Sequence, residues 1–163
     1  MSVACIRMGA TRLCLALMLG LLVVPGYVVV PVLFAKAGSM SLAGALAGDI
    51  FHLTNMALLF LAVAVMLFWS RMTKAGLVIG RLRWALLVLV AVLIVGNEYG
   101  ITPVIMDLKS QMGPIDLVAK DDPLRKVFGI WHGVSAVIHM LAAIAMLGLV
   151  GLGAASRCKQ AGA

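Results

Sequence analysis

Four long apolar runs alternate with short polar segments along the chain, at about 13–34, 50–69, 84–106 and 127–153. Each run is long enough to cross a hydrocarbon layer of about 30 Å, which takes about 20 helical residues. Inside the runs the histidine, acidic and basic side chains number four: His52, Glu98, His132 and His139. The pattern predicts an all-α fold, a four-helix bundle integral to the membrane, with residues 1–163 forming a single transmembrane domain.

Composition agrees with a membrane protein, since 64% of the residues are hydrophobic and 12% are charged. Four spans joined by three short connections leave no room for a soluble catalytic domain, so we expect no enzyme activity. The formal charge of +7 does not indicate nucleic-acid binding, because the basic residues flank the spans, where such residues orient a protein in the bilayer. The predicted partner is the lipid bilayer, with a homo-oligomer or another membrane protein as further options.

Basic residues divide unevenly between the two sides of the predicted bundle. Eight belong to the side that holds both termini: Arg7, Arg12, Arg71, Lys74, Arg81, Arg83, Arg157 and Lys159. Five belong to the other side: Lys36, Lys109, Lys120, Arg125 and Lys126. The positive-inside bias predicts a multi-pass protein of the bacterial inner membrane with both termini in the cytoplasm. The first run exceeds the 7–15 residues of a signal peptide's apolar region, so we expect this helix to be retained.

The predicted connections contain residues suited to starting and anchoring helices. Small residues fill 38–48, and Asp49 then stands where it would cap the second helix. A basic loop over 70–83 is bordered by Trp69 and Trp84. Tryptophan is enriched at membrane interfaces, so the sequence predicts that these two rings anchor the bundle there.

Polar side chains on three of the runs share one predicted depth. His52 lies about 3 residues inside the second run, Glu98 about 8 residues from the end of the third, and His132 about 5 residues inside the fourth. At about 1.5 Å per residue, these positions fall within the outer ~14 Å of the membrane. Ionisable groups in lipid are costly and mark functional sites by default. The sequence therefore predicts one polar cluster, made of His52, Asn55, Asn97, Glu98, His132, Ser135 and His139.

Glu98 is the predicted centre of this cluster. A carboxylate below the membrane surface needs a proton or a partner, and we expect it to be protonated or paired with His132. His132, Ser135 and His139 are spaced by three and four residues and form a polar stripe on the fourth helix. A G-x-x-x-G pattern beginning at Gly129 predicts that this helix is the one packed most tightly inside.

The remaining candidate chemistry does not predict a cofactor. Cys5, Cys14 and Cys158 show no C-x-x-C or Cys/His metal spacing and are expected to be inert thiols. The eleven methionines are scattered, as fillers of apolar packing are. No cofactor is therefore predicted, and the sequence names no metal.

A resemblance to a known family is carried mainly by the fourth span. Asp122-Pro123-Leu124-Arg125, followed by Phe128, Trp131-His132-Gly133 and Ser135, resembles the signature of the transmembrane-protein-205-like family, a domain of unknown function. The resemblance extends over about 15–150 and includes Val30-Pro31-Val32-Leu33-Phe34, Ile50-Phe51-His52, and Asn97 with Pro103. It departs at His139, where the family usually shows Asn. The resemblance implies a four-helix integral membrane protein and no established reaction.

Three classes of function are compatible with this sequence. The polar cluster could serve a structural or assembly role by locking the bundle, since polar residues in membrane helices often serve packing. It could instead bind or move a solute or a metal ion. The alternative is a haem-binding redox subunit in which His52 and His132 are the axial ligands.

Overall fold

The computed structural model describes residues 3–153, and all of its regular elements are helical. The first helix comprises Val3–Val24, a π-helical turn at Pro25–Val29 and a last segment at Val30–Lys36. The second helix is Met40–Lys74. The third comprises Arg81–Val95, a π-helical turn at Gly96–Ile101 and Thr102–Met112. A 3-10 turn at Ile115–Leu117 precedes the fourth helix, Pro123–Gly151.

The four long apolar helices confirm the predicted fold class. Their apolar segments of 29 to 35 residues make four candidate membrane spans, so the chain is a multi-pass membrane protein in contact with lipid. At about 1.5 Å per residue even the shortest is about 44 Å long, against a hydrocarbon layer of about 30 Å. Turns at the helix ends therefore project beyond the hydrocarbon.

The helices begin earlier and end later than the apolar runs that predicted them. Ser39 caps the second helix by accepting from the Leu42 amide at 3.1 Å, so Asp49 lies inside the helix and the prediction that it caps was wrong. The helix also continues to Lys74, into the predicted basic loop. Small residues such as Ala and Gly occur both in loops and in membrane helices. Hydropathy therefore placed the start of the second helix too late.

Two π-helical turns interrupt the first and third helices, and both stand next to a proline. Pro25 opens the first of them, while Pro103 follows the second. Proline lacks the backbone N–H that an α-helix needs, so the hydrogen bonds around it must be rearranged. Thr102 donates its hydroxyl to the Asn97 carbonyl at 3.0 Å within the second turn. Such widened turns are frequently found at functional sites.

The buried apolar core occupies one half of the bundle. It draws on residues 8–22, 58–72, 79–94 and 142–149 of the four helices in turn. Trp69 is buried here and meets Trp84 edge to face, with ring centroids 5.3 Å apart. The prediction of two interfacial anchors was therefore wrong for Trp69, which is part of the core. The end of the bundle nearest this core contains residues 3–12, 70–83 and 150–153, and we call it the basic end. We call the opposite end of the bundle the far end.

Among neighbouring helices, packing is least extensive between the second and third, a junction that we call the second–third seam. At the far end, Asp116 accepts from the backbone amides of Met40 at 3.0 Å and Ser41 at 2.9 Å. Lys109 donates its Nζ to the Gly44 carbonyl at 3.1 Å. Polar contacts thus hold the seam together where apolar packing is sparse.

Candidate functional site

Glu98 lies in the second–third seam, and partners on the second helix engage both of its carboxylate oxygens. His52 Nδ1 is 2.5 Å from Glu98 Oε1, a short hydrogen-bonding distance. Asn55 donates its Nδ2 to Glu98 Oε2 at 2.6 Å. His52 and Asn55 are three residues apart and share a helix face, as their spacing predicted. We call these three residues the Glu98 site.

The exposure of the partners differs sharply. The side chain of Glu98 is 6% exposed, whereas that of His52 is 65% exposed. Asn55 is also buried. A buried carboxylate is costly in lipid unless it is hydrogen-bonded or protonated, and here it is hydrogen-bonded on both oxygens. The site therefore connects a buried acid to the surface of the bundle through a titratable ring.

The π-helical turn at Gly96–Ile101 carries Glu98. Its extra residue per turn changes which side chains face the second helix. On the same turn, Tyr99 is exposed and its hydroxyl lies 3.8 Å from the Sδ of Met56, which is one turn beyond His52 on the second helix. The local widening thus turns two consecutive residues, Glu98 and Tyr99, toward the same helix.

His139 lies apart from these residues and contacts the first and second helices. Its Nε2 donates to the Leu22 carbonyl at 2.8 Å, and its ring meets Phe51 edge to face with centroids 5.1 Å apart. A Cβ placed on Gly26 would be 2.9 Å from His139 Nε2. Glycine at the π-helical turn therefore provides the space that this histidine occupies.

A small cavity connects the Glu98 site with His139. Its volume is about 10 Å³, and its lining residues include Asn55, Asn97 and His139 from three different helices. Asn97 Oδ1 is buried and has no hydrogen-bond partner among residues 3–153. A cavity of this size holds about one water molecule when its walls offer polar partners. The polar residues thus reach from the seam to the middle of the bundle, where the apolar core begins.

His132 and Ser135 are not part of this arrangement. His132 is exposed and stacks on Phe128 of its own helix, with centroids 5.8 Å apart. The expected pairing of Glu98 with His132 was therefore wrong, and His52 takes that position. Ser135 is partly buried, and no hydrogen bond of its side chain is found in the described part of the chain.

The G-x-x-x-G pattern of the fourth helix also lies differently from the prediction. A Cβ placed on Gly129 or Gly133 would meet nothing within 4 Å among the described residues, and both glycines are exposed. The tight contacts of the fourth helix involve Ala142, Ala145 and Met146 in the core instead. The glycine spacing alone could not show which face of the helix turns inward.

Depths measured from the observed helix ends exceed those estimated from the runs. His52 lies about 18 Å along the helix from Met40, and Glu98 about 21 Å from Met112. The helices extend beyond the apolar runs and their end turns project beyond the hydrocarbon, so the predicted depth in the membrane stays a prediction. His52 and Glu98 still meet, because both helices lengthened at the same end.

The electrostatics of the far end are set by the Asp116 contact. Contacts with Ser41 and with the backbone amide of Met40 hold the pKa of the Asp116 carboxyl below its ordinary value of 3.8. This carboxylate stabilises the start of the second helix, where free N–H groups and the helix dipole favour negative charge. Sequence reasoning missed this role, because Asp116 lies 76 residues from Met40 in the chain.

Within the described residues, no group of three or more His, Cys, Asp or Glu side chains is arranged to hold a metal ion. The Glu98 site offers one carboxylate, one imidazole and one amide. These groups can share a proton, and a cation replacing that proton would meet carboxylate, imidazole and amide donors. The pairing of His52 and His132 around a haem stays a prediction.

The fold and the site define a small, four-helix multi-pass membrane protein with buried polar contacts between helices. The family described as a domain of unknown function (DUF4149) matches residues 13–114, and the chain belongs to this family. No curated protein and no solved structure matches the chain. The matched residues include the whole Glu98 site, whereas His132 and His139 lie beyond them.

Proposed function

We propose that the protein handles a cation in the membrane, and that Glu98 binds this cation in exchange for the proton shared with His52. The role is one of binding and transfer, without catalysis. The observation that carries the proposal is the contact of 2.5 Å between a carboxylate that is 6% exposed and an imidazole that is 65% exposed. A lock that served packing alone would be built at lower cost from neutral amides.

The chemistry of the three side chains supports exchange. When the shared proton leaves, Glu98 carries a full negative charge that only the hydrogen bond from Asn55 offsets. A cation arriving from the exposed side of His52 would restore neutrality, as metal ligands release protons when they bind metals. His52 is thus the group through which the buried carboxylate exchanges with the outside.

The site is accessible from one side of the bundle. Between it and the basic end lie tightly buried core residues such as Met18, Leu58 and Met146. Passage through the protein would therefore need a second conformation, in which the seam or the core rearranges. The sparse packing of the second–third seam makes it the place where such a change costs least.

Proton release tests this function. The purified full chain, in weakly buffered detergent with a pH-sensitive dye, receives NaCl or ZnCl₂ in separate titrations. We expect one of these salts to release about one proton per chain, and Glu98→Gln to release none. Asp107→Asn, which removes an exposed carboxylate from the same helix, is the matched control and should behave as the wild type. Equal release from wild type and Glu98→Gln would reject the proposal.

A second candidate is a structural lock, and one observation favours it. The second and third helices pack least among neighbouring helices, and the Glu98 hydrogen bonds cross this junction. In that case neither salt would release a proton, while removal of the carboxylate would loosen the bundle. An optical spectrum of the same preparation tests the haem alternative, in which His52 and His132 are the axial ligands, because a Soret band would indicate bound haem.

Three finer assignments belong to the proposal. Kinship with the transmembrane-protein-205-like proteins is supported by the motif that starts at Asp122, whose carboxylate caps the fourth helix. A bacterial inner-membrane location with both termini in the cytoplasm is supported by the eight basic residues of that side. The third assignment is a homo-oligomer, because four helices alone form a thin wall around a transport path and a second copy would add helices to it.

Cysteine labelling tests the orientation. In a background without native cysteines, a cysteine at Ser110 should react with an impermeant reagent added outside intact cells. A cysteine at Lys74, at the basic end, should react only after the cells are opened. The reverse pattern would invert the proposed topology.

A further inference from the structure

A groove at the basic end separates the first and fourth helices. Its volume is about 300 Å³, and Arg12, Leu15, Ala16, Val150 and Gly153 line it. Its walls are apolar apart from the Arg12 guanidinium. The groove thus places one cationic group beside an apolar surface. A phospholipid likewise combines a charged head group with apolar chains.

Charge at this end is of one sign in the described structure. Six basic side chains lie there, and no described acidic residue does: Arg7, Arg12, Arg71, Lys74, Arg81 and Arg83. All six Asp and Glu residues of the chain fall between positions 49 and 122, in the seam or toward the far end. The basic end therefore attracts anions, and anionic lipids are the anions present at a membrane surface.

Two arginines flank the end of the fourth helix, and they differ in what they contact. Arg83 donates its Nη2 to the Leu152 carbonyl at 2.6 Å, where the helix end is partly negative. Arg12 lies 3.8 Å from Met8 Sδ, a weak acceptor, and is exposed. The charge of Arg12 is therefore left without an anionic or carbonyl partner among the described residues, at the mouth of the groove.

We propose that this groove binds an anionic phospholipid, with the phosphate on Arg12 and an acyl chain along Leu15, Ala16 and Val150. Guanidinium groups form strong, charge-assisted hydrogen bonds with phosphate oxygens. Basic pockets between membrane helices bind anionic head groups in the same way. The apolar walls favour a lipid over a free anion, since phosphate alone would leave the exposed Ala16 and Val150 uncovered. This site is independent of Glu98.

Native mass spectrometry of the full chain, titrated with phosphatidylglycerol or phosphatidylcholine, tests the proposal. We expect phosphatidylglycerol to bind more tightly, and Arg12→Gln to weaken it about fivefold, the effect of about one basic residue near an anionic surface. Arg71→Gln is the matched control, because Arg71 is exposed at the same end but does not line the groove. It should change the affinity less than twofold.

A second variant tests the groove without changing charge. Ala16→Leu adds a side chain to the wall and should weaken phosphatidylglycerol binding while the melting temperature stays that of the wild type. Equal binding of the two lipids, or equal losses from Arg12→Gln and Arg71→Gln, would overturn the proposal. Full competition by inorganic phosphate would also overturn it, by indicating a free-anion site.

Discussion

Replacing Glu98 by leucine should destabilise the bundle in a way that a second substitution repairs. The change removes the acceptor of Asn55 Nδ2, and Asn55 is 4% exposed, so bulk water cannot take the acceptor's place. Leaving a buried donor unpaired costs about 1–3 kcal/mol in general. Hydrogen bonds between membrane helices contribute about 0.6 kcal/mol on average and at most about 1.7. We therefore expect Glu98→Leu to lower the free energy of unfolding by about 1–2 kcal/mol.

Substituting Asn55 as well should restore stability. Replacing both partners of a hydrogen bond by apolar groups is nearly neutral, so Glu98→Leu with Asn55→Leu should lie within about 0.5 kcal/mol of the wild type. Glu98→Gln alone should also be nearly neutral. Its amide oxygen can accept from Asn55 while its amide nitrogen donates to His52 Nδ1, provided that the imidazole carries its proton on Nε2.

Reversible unfolding by sodium dodecyl sulfate in lipid bicelles measures these differences. Tyr99→Phe is the control, because it alters an exposed neighbour on the same turn without touching the carboxylate. The reasoning fails if Glu98→Leu is as stable as the wild type. It also fails if the two leucine substitutions add their costs, since that would mean that Asn55 and Glu98 are not each other's partners.

Two further predictions concern the first helix and the far end. Gly26→Ala should lower the free energy of unfolding by about 1–3 kcal/mol in the same assay, because the new Cβ meets His139 Nε2 at 2.9 Å, whereas Gly20→Ala, with nothing within 4 Å among the described residues, should not destabilise. Asp116→Ala should lower the melting temperature at neutral pH. The pKa of Asp116 is lowered in the folded state, so its contribution is present above the ordinary value of 3.8 and disappears as pH falls through the lowered value. A difference that persists in strong acid would contradict the Ser41 contact.

The four spans could be predicted from sequence because hydropathy over about 20 residues is a strong signal. Helix ends were harder to predict. Residues 40–48 are uncharged and mostly small, and the cap that starts the helix there is completed by Asp116, far along the chain. No local pattern encodes that contact.

The sequence predicted which residues belong to the candidate site better than it predicted which of them pair with each other. Shared depth indicated that His52, Asn55 and Glu98 belong together, and they do meet. Depth says nothing about rotation around a helix axis, so it could not distinguish His52 from His132 as the partner of Glu98. The π-helical turn at Gly96–Ile101 sets that rotation, and only Pro103 signalled it in the sequence.

The contact between His52 and Glu98 is the central claim, and a distance measurement in lipid tests it most directly. Solid-state NMR on protein in bilayers, with ¹⁵N-labelled histidine and ¹³C-labelled glutamate, reports dipolar coupling between an imidazole nitrogen and the carboxyl carbon of Glu98, the one glutamate of the chain. We predict a dipolar coupling that corresponds to a hydrogen-bonding distance. His52→Asn should abolish this coupling, and His132→Asn should leave it unchanged. A coupling lost in His132→Asn instead, or no coupling in the wild type, would contradict the account.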